Sequence, residues 1–255
     1  SGKKQINFTL RPDDEGVLPV QFKGEFATPQ AELRTEDNVQ DRNFLVVREK
    51  LKILFLEGRL RPEYRFLKQY LQGEPGVEYV SFVQIRPGRF LISSSNPESQ
   101  PKELASTREG LAQYDLFLLG DVAQRTLTPA QWEILASLVK DEGKGVFILA
   151  GAETGELAKT ALAEVLPLSL EGSAEWTAQS FLPTLTRLGQ AHPVMTGLQE
   201  FFDPEGKFRA AARLEGFYRL GSVTPASIVL LEKSAPNKKD VLPLLTLRNA
   251  GKGRT

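Results

Sequence analysis

Lys52-Ile53-Leu54-Phe55-Leu56-Glu57-Gly58 is the stretch on which the reading of the fold turns. Ile53 to Leu56 is apolar without alternation, the pattern of a strand buried on both faces, and such strands belong to parallel sheets covered by helices. The residues that follow agree. Glu57-Gly58-Arg59 breaks the run, Pro62 suits a first helical turn, and Tyr64, Leu67, Tyr70 and Leu71 share one helical stripe with Phe66 beside it. Val77 to Ile85 then reads as a second strand, which makes a right-handed βαβ unit. Leu116 to Leu119 is a third strand ending in Gly120-Asp121. Thr128-Pro129-Ala130-Gln131 combines a Thr N-cap, Pro at the first helical position and Gln two residues later, a capping box. Trp132, Leu135, Leu138 and Val139 give that helix its buried face, and it stops near Glu142-Gly143. With Val146 to Ala150 as the next strand, the alternation predicts a doubly wound α/β fold.

That last strand runs into Gly151-Ala152-Glu153-Thr154-Gly155 and a helix-like stretch, the setting in which many α/β enzymes place a nucleophile between glycines. The central position here is Glu153, and a carboxylate does not attack an amide as a thiolate does. The scaffold resembles one built for chemistry that its residues do not supply.

Outward from this core the pattern changes. Ile6 to Leu10, Val17 to Ala27 and Asn43 to Arg48 are short β-like runs separated by Pro12-Asp13-Asp14-Glu15-Gly16 and Glu36-Asp37-Asn38. They are too few for a closed sandwich, so residues 1–49 read as the last strands of an immunoglobulin-like β-sandwich, or as strands needing a partner surface. Residues 50–255 form the α/β domain. Periodicity weakens after Pro167, residues 170–225 read as ordered but irregular, and only Ser227 to Leu231 and Leu242 to Leu247 stand out as late strands. The end, Asn249 to Thr255, reads as a hairpin turn whose returning strand is missing, and Ser1-Gly2 as a cloning remnant, so the expectation is a C-terminally incomplete piece of a longer protein.

Composition narrows the function classes. The 255 residues are 41% hydrophobic and 25% charged, enough to bury a substantial core, and 32 basic side chains balance 32 acidic ones. No electrostatic footprint for nucleic acid exists. The absence of Cys excludes disulfides, thiol catalysis and Cys-based zinc sites, and a single His, His192, argues against a His-ligated metal or a Ser-His triad. No apolar run approaches the roughly 20 residues that span a bilayer. No cofactor, metal site or catalytic residue is expected.

The order and spacing of Lys52 to Gly58 with Glu63 to Leu67, Tyr114-Asp115 to Gly120-Asp121-Val122, Gly143-Lys144-Gly145 to Ala150-Gly151, His192-Pro193-Val194 and Gly251-Lys252-Gly253-Arg254 resemble the class I glutamine amidotransferase-like domain of uncharacterised, membrane-anchored bacterial cell-envelope proteins. The resemblance covers residues 50–255 and implies a flavodoxin-like, amidotransferase-like doubly wound sheet. Members of that class carry a Cys in a G-x-C-x-G elbow and a His-Glu pair downstream. This chain offers Glu153 at the elbow and His192 before Pro193, so glutamine hydrolysis is not expected and the domain resembles a pseudoenzyme. The resemblance further implies a periplasmic or otherwise extracytoplasmic place, with the membrane reached only through segments outside this chain.

Glu57, Arg59, Glu63 and Arg65 cluster after the first α/β strand, and Asp121 and Glu153 end neighbouring strands on the same edge, where open α/β sheets form their ligand crevice. Two classes of function follow. In one the six residues are an ion-pair network fixing loops, with Glu63 held by Arg59 or by backbone amides, and the domain is a non-catalytic structural or interaction module with a protein partner or a small polar ligand. In the other, Glu57, Glu63, Asp121 and Glu153 hydrolyse a substrate or bind a carbohydrate or metal. His192 reads as a loop residue, Ser93-Ser94-Ser95-Asn96 as a polar loop, and Gly143-Lys144-Gly145 as a helix-to-strand turn.

Overall fold

The computed structural model describes residues 10, 12, 16–24, 39–46, 50–203, 208, 212–234 and 241–255. The chain divides into two compact units, Ser1–Lys50 and Leu51–Thr255.

In the first unit β1 (Gly16–Lys23) pairs antiparallel with β2 (Val39–Val46), in register from Gly16↔Val46 to Lys23↔Val39. Gln21 donates to Asp41 Oδ1 across the pair at 2.9 Å. The expected run from Ile6, apart from Leu10, and the turn at Glu36-Asp37-Asn38 lie outside the described residues.

The second unit is mixed α/β, with a large mixed sheet and few helices. Its strands are β3 (Leu51–Glu57), β4 (Val77–Arg86), β5 (Arg89–Ser94), β6 (Leu116–Gly120), β7 (Gly145–Leu149), β8 (Leu168–Phe181), β9 (Thr184–Leu185), β10 (Leu214–Val223), β11 (Ser227–Lys233), β12 (Leu242–Ala250) and β13 (Gly253–Arg254). Among the described residues one sheet runs in the order β5-β4-β3-β6-β7-β13-β12-β11-β9, and β8 and β10 form a separate antiparallel pair. Neighbours from β4 to β13 are parallel, whereas β5 and the strands beyond β13 pair antiparallel.

The unbroken burial of β3 from Ile53 to Glu57 has a direct cause in its position, because helices cover both faces. Ile53 and Phe55 pack with Tyr64 and Leu71 of α1 (Pro62–Gly73), while Leu54 and Leu56 pack with the cluster holding Trp132, Leu135 and Val139 of α3 (Pro129–Glu142). α1 begins on Pro62 as its composition demands. Only Tyr64, Leu67 and Leu71 of its expected stripe turn inward; Phe66 and Tyr70 are exposed. The capping box of α3 is complete, with Thr128 Oγ1 accepting from Gln131 N at 3.2 Å and Gln131 Oε1 accepting from Thr128 N at 2.9 Å. Gly143 closes α3 at φ 79°, a left-handed C-cap that disfavours a side chain. Between β5 and β6 lies the short α2 (Arg108–Ala112).

Three expectations change. The strands β4-β3-β6-β7 run parallel as the alternation predicts, but beyond β13 the sheet continues antiparallel, and among the described residues the α-helices on that side are the short α4 (Arg187–Ala191) and α5 (Gln199–Phe202). The Gly151 turn leads into 3₁₀ turns over Thr154–Lys159 and Ala161–Val165 instead of an α-helix. Residues 170–225, read as irregular, contain most of β8 and β10.

Candidate functional site

The chain leaves β3 through α1 to β4 on one side and comes back after β5 to place β6 on the other, so the carboxyl ends of β3 and β6 form a topological switch point. Glu57 and Gly120, paired in register, occupy those ends, with Asp121 next in the chain. Gly120 leaves the room that this carboxylate fills, because a Cβ there would stand 2.1 Å from Glu57 Oε2.

Glu57 is fully buried, and burial pushes its carboxyl up to about 7, the charge of Asp121 adding to the rise and Arg61 opposing it. Arg61 grips it with both prongs of its guanidinium, Nε to Oε1 at 2.9 Å and Nη2 to Oε2 at 3.4 Å. The same guanidinium donates to the carbonyls of Ala150 (3.1 Å) and Leu149 (3.3 Å), tying the end of β3 to the end of β7.

Asp121 is 2% exposed and sits at φ 45°, an uncommon left-handed conformation for a residue with a side chain. Its Oδ1 accepts from Glu153 N at 2.7 Å and its Oδ2 pairs with Arg59 Nε at 2.9 Å. A Cβ on Gly151 would fall 2.2 Å from Asp121 Cγ, so this glycine of the supposed elbow makes room for a carboxylate and not for a substrate. Glu153 pairs with Arg59 (3.4 Å) and Arg125 (3.3 Å), and Arg125 reaches on to Glu156 (3.4 Å). The two arginines engage the Glu153 side chain, which caps no backbone amide.

Four of the six residues singled out from sequence therefore converge: Glu57, Arg59, Asp121 and Glu153. Glu63 and Arg65 do not join them. Both are exposed on the first turn of α1, and neither makes an ion pair among the described residues, which corrects the expectation that Arg59 or backbone amides hold Glu63. Arg59 turns the other way, toward Asp121. Arg61, Arg125 and Glu156 were missed. Arg61 stands four residues after Glu57, a spacing that misleads outside a helix because the chain here is a strand end and a loop. His192 is local: its Nδ1 accepts from Val194 N at 3.2 Å. Among the described residues no group of three or more His, Cys, Asp or Glu is arranged to hold a metal.

An open cleft of about 660 Å³ begins beside this network at Arg61, Glu63 and Thr154 and runs along β7 and β12 under the β8–β10 pair. Its walls are mainly apolar. Trp176 packs at a tilt of 57° against Tyr218, with centroids 5.0 Å apart, and lies so close over Gly216 that a Cβ there would meet its ring at 2.1 Å. Glu57 does not line the cleft, since Arg61 stands between them.

No family model matches the chain, and no curated protein matches it. Among solved structures it is similar to cytoplasmic protein STM3548 from Salmonella typhimurium, at 15% identity and a TM-score of 0.49, over 80% of this chain and 85% of that one. A likeness of that strength transfers no activity. The extracytoplasmic placement implied by the resemblance is corrected and carried no further, the similar structure being described as cytoplasmic. No helix among the described residues is long and apolar enough to cross a membrane.

Proposed function

We propose that residues 51–255 are a degenerate class I amidotransferase-like, flavodoxin-like domain that works without catalysis, as a structural or interaction module. The observation that carries this reading is the fate of the carboxylates at the switch point. Glu57, Asp121 and Glu153 are each engaged by arginine, and both oxygens of Glu57 and of Asp121 are spoken for. A hydrolytic pair needs one acid and one base facing an open space that admits substrate. Here Arg61 closes Glu57 off from the cleft. The parallel order β4-β3-β6-β7, with helices on both faces, supports the amidotransferase-like assignment, and Glu153 at the elbow supports loss of the reaction.

One observation favours the alternative of a carboxylate-based hydrolase, namely the carboxyl of Glu57 raised to about 7, the range of a general acid. A single experiment separates the two. Purified protein is assayed for ammonia release from glutamine and for turnover of chromogenic glycosides and esters, beside Glu57→Gln and Glu153→Ala. We expect no turnover from any of the three proteins. Turnover by the wild type that disappears in Glu57→Gln would establish the hydrolase, and glutaminase activity lost in Glu153→Ala would overturn the proposal outright.

A further inference from the structure

β5 ends the large sheet, and among the described residues no strand pairs with its outer side. Ser95 N donates to Tyr79 O at 3.0 Å, so by alternation Ser93 and Leu91 also turn their main chain toward β4. Phe90, Ile92 and Ser94 therefore present their N–H groups and carbonyls outward. Folded proteins blunt such edges with charges, prolines, bulges or a covering element. From Phe90 to Ser94 the strand carries no charge and no proline, and the register shift of its hairpin lies between Gln84 and Arg86, at the turn. The opposite edge of the sheet is treated differently. β9 is two residues long, and where it stops Thr186 takes the carbonyl of Leu230 with its N–H at 3.1 Å and that of Val229 with its hydroxyl at 2.6 Å.

The strand is complementary to itself. Antiparallel pairing about a two-fold axis at Ile92 sets Ile92 beside its own copy and Phe90 beside Ser94 of the second copy, each facing pair exchanging two main-chain bonds. An axis one residue to either side would leave one of the three outward residues opposite a position outside β5, Gly88 or Asn96. The same register places Leu91, 55% exposed, against Ser93 of the second copy, so that a large side chain meets a small one on each face. The ends match in charge. Arg86 and Arg89 stand opposite each other at the turn before β5, like charges whose direct pairing is unfavourable, and neither meets a carboxylate among the described residues. Glu98, exposed just past the other end of the strand, likewise makes no ion pair among them. Antiparallel pairing brings the arginine end of each copy to the Glu98 end of the other.

We infer that β5 pairs with β5 of a second copy of this chain, antiparallel about a two-fold axis at Ile92, with Arg89 of each copy against Glu98 of the other. The pairing joins the two large sheets edge to edge. It holds whether or not the domain catalyses a reaction.

Sedimentation equilibrium of the full chain between about 1 and 100 μM reads the assembly, with amide hydrogen exchange followed over the same range. We expect the mass to rise with concentration from 28.3 kDa toward its double, and peptides from β5 to exchange more slowly as it does. Arg89→Glu and Glu98→Arg each alter an exposed side chain, and each should weaken the dimer about tenfold, since opposite charges become like charges at both ends of the paired strands. The two changes together restore opposite charges and should return the affinity to within about threefold of the wild type. A monomer at every concentration would overturn the inference, and β5 amides already protected in that monomer would place another segment of this chain on the edge. A dimer whose β5 amides gain no protection, or a double variant that recovers no affinity over the single ones, would overturn it as well.

Discussion

Glu57 is where a single residue governs how the molecule responds to pH. Its carboxyl titrates near 7 in the folded protein, raised first by burial, against 4.5 for the ordinary group. The folded state therefore holds a proton between those values that the unfolded chain has released, and stability falls as pH rises from about 4.5 to 7, then levels off. The full loss is on the order of 3 kcal/mol. We expect urea denaturation of Glu57→Gln to lack most of this fall, because glutamine has nothing to titrate; a stability curve parallel to that of the wild type across pH 4.5–7 would exclude Glu57 as its source. Asp115 acts in the opposite sense. Lys52 N and Lys144 hold its carboxyl below the usual range, so its contribution is present at neutral pH and is lost only in acid, outside the Glu57 window. Glu63, on the first turn of α1, supplies a contrast. With no partner among the described residues, Glu63→Gln should shift unfolding free energy by no more than about 0.5 kcal/mol, and a loss of 2 kcal/mol or more in denaturant titration would mean that a contact holds it after all.

At the scale of elements, local chemistry and local structure agree best in α3. The hydroxyl of Thr128 and the amide of Gln131 satisfy each other's backbone, and Gln131 also donates to Ala105 O at 2.8 Å, so the cap ties the helix to the segment before it. Thr128→Ala should cost about 1 kcal/mol, measured as a drop in the denaturation midpoint at unchanged slope. No drop would show that packing of Trp132 and Leu135 alone sets the helix start. Agreement is poorest for β5, β8 and β10. Ser93 to Asn96 reads as a polar loop, yet Ser93 and Ser94 end an antiparallel edge strand and Ser95 Oγ accepts from Tyr79 N at 3.0 Å. In β8 and β10, glycines at 172, 216 and 221 dilute the alternation, and register shifts near Gly216 and Gly221 break its period. A signal was present in the facing aromatic residues Trp176 and Tyr218, which pair across the strands, but only the pairing turns two weak runs into a ladder.

For the whole molecule, the division at Lys50 and Leu51 has a direct test. Residues 51–255 contain both hydrophobic clusters entire. Produced alone, they should unfold cooperatively within about 3 °C of the full chain. Failure to give a cooperative transition would mean that the first unit completes the fold of the second.

The sequence by itself determined the parallel half of the sheet, its two covering helices and the absence of thiol chemistry. Uninterrupted apolar runs, a proline at a helix start, a capping box and a glycine C-cap are local statements, each satisfied within a few residues of its own position. It also brought forward Glu57, Arg59, Asp121 and Glu153, because strand ends in an α/β alternation must meet on one edge. Which cation meets which carboxylate was decided only by the tertiary structure. Arg61 faces Glu57 because the loop after β3 folds it back over the end of β7, and Arg125 reaches Glu153 from a separate loop. The cleft along β7 and β12 belongs to the same class. Its walls come from β7, β8, β10 and β12, strands distant in the chain whose meeting has no local signature.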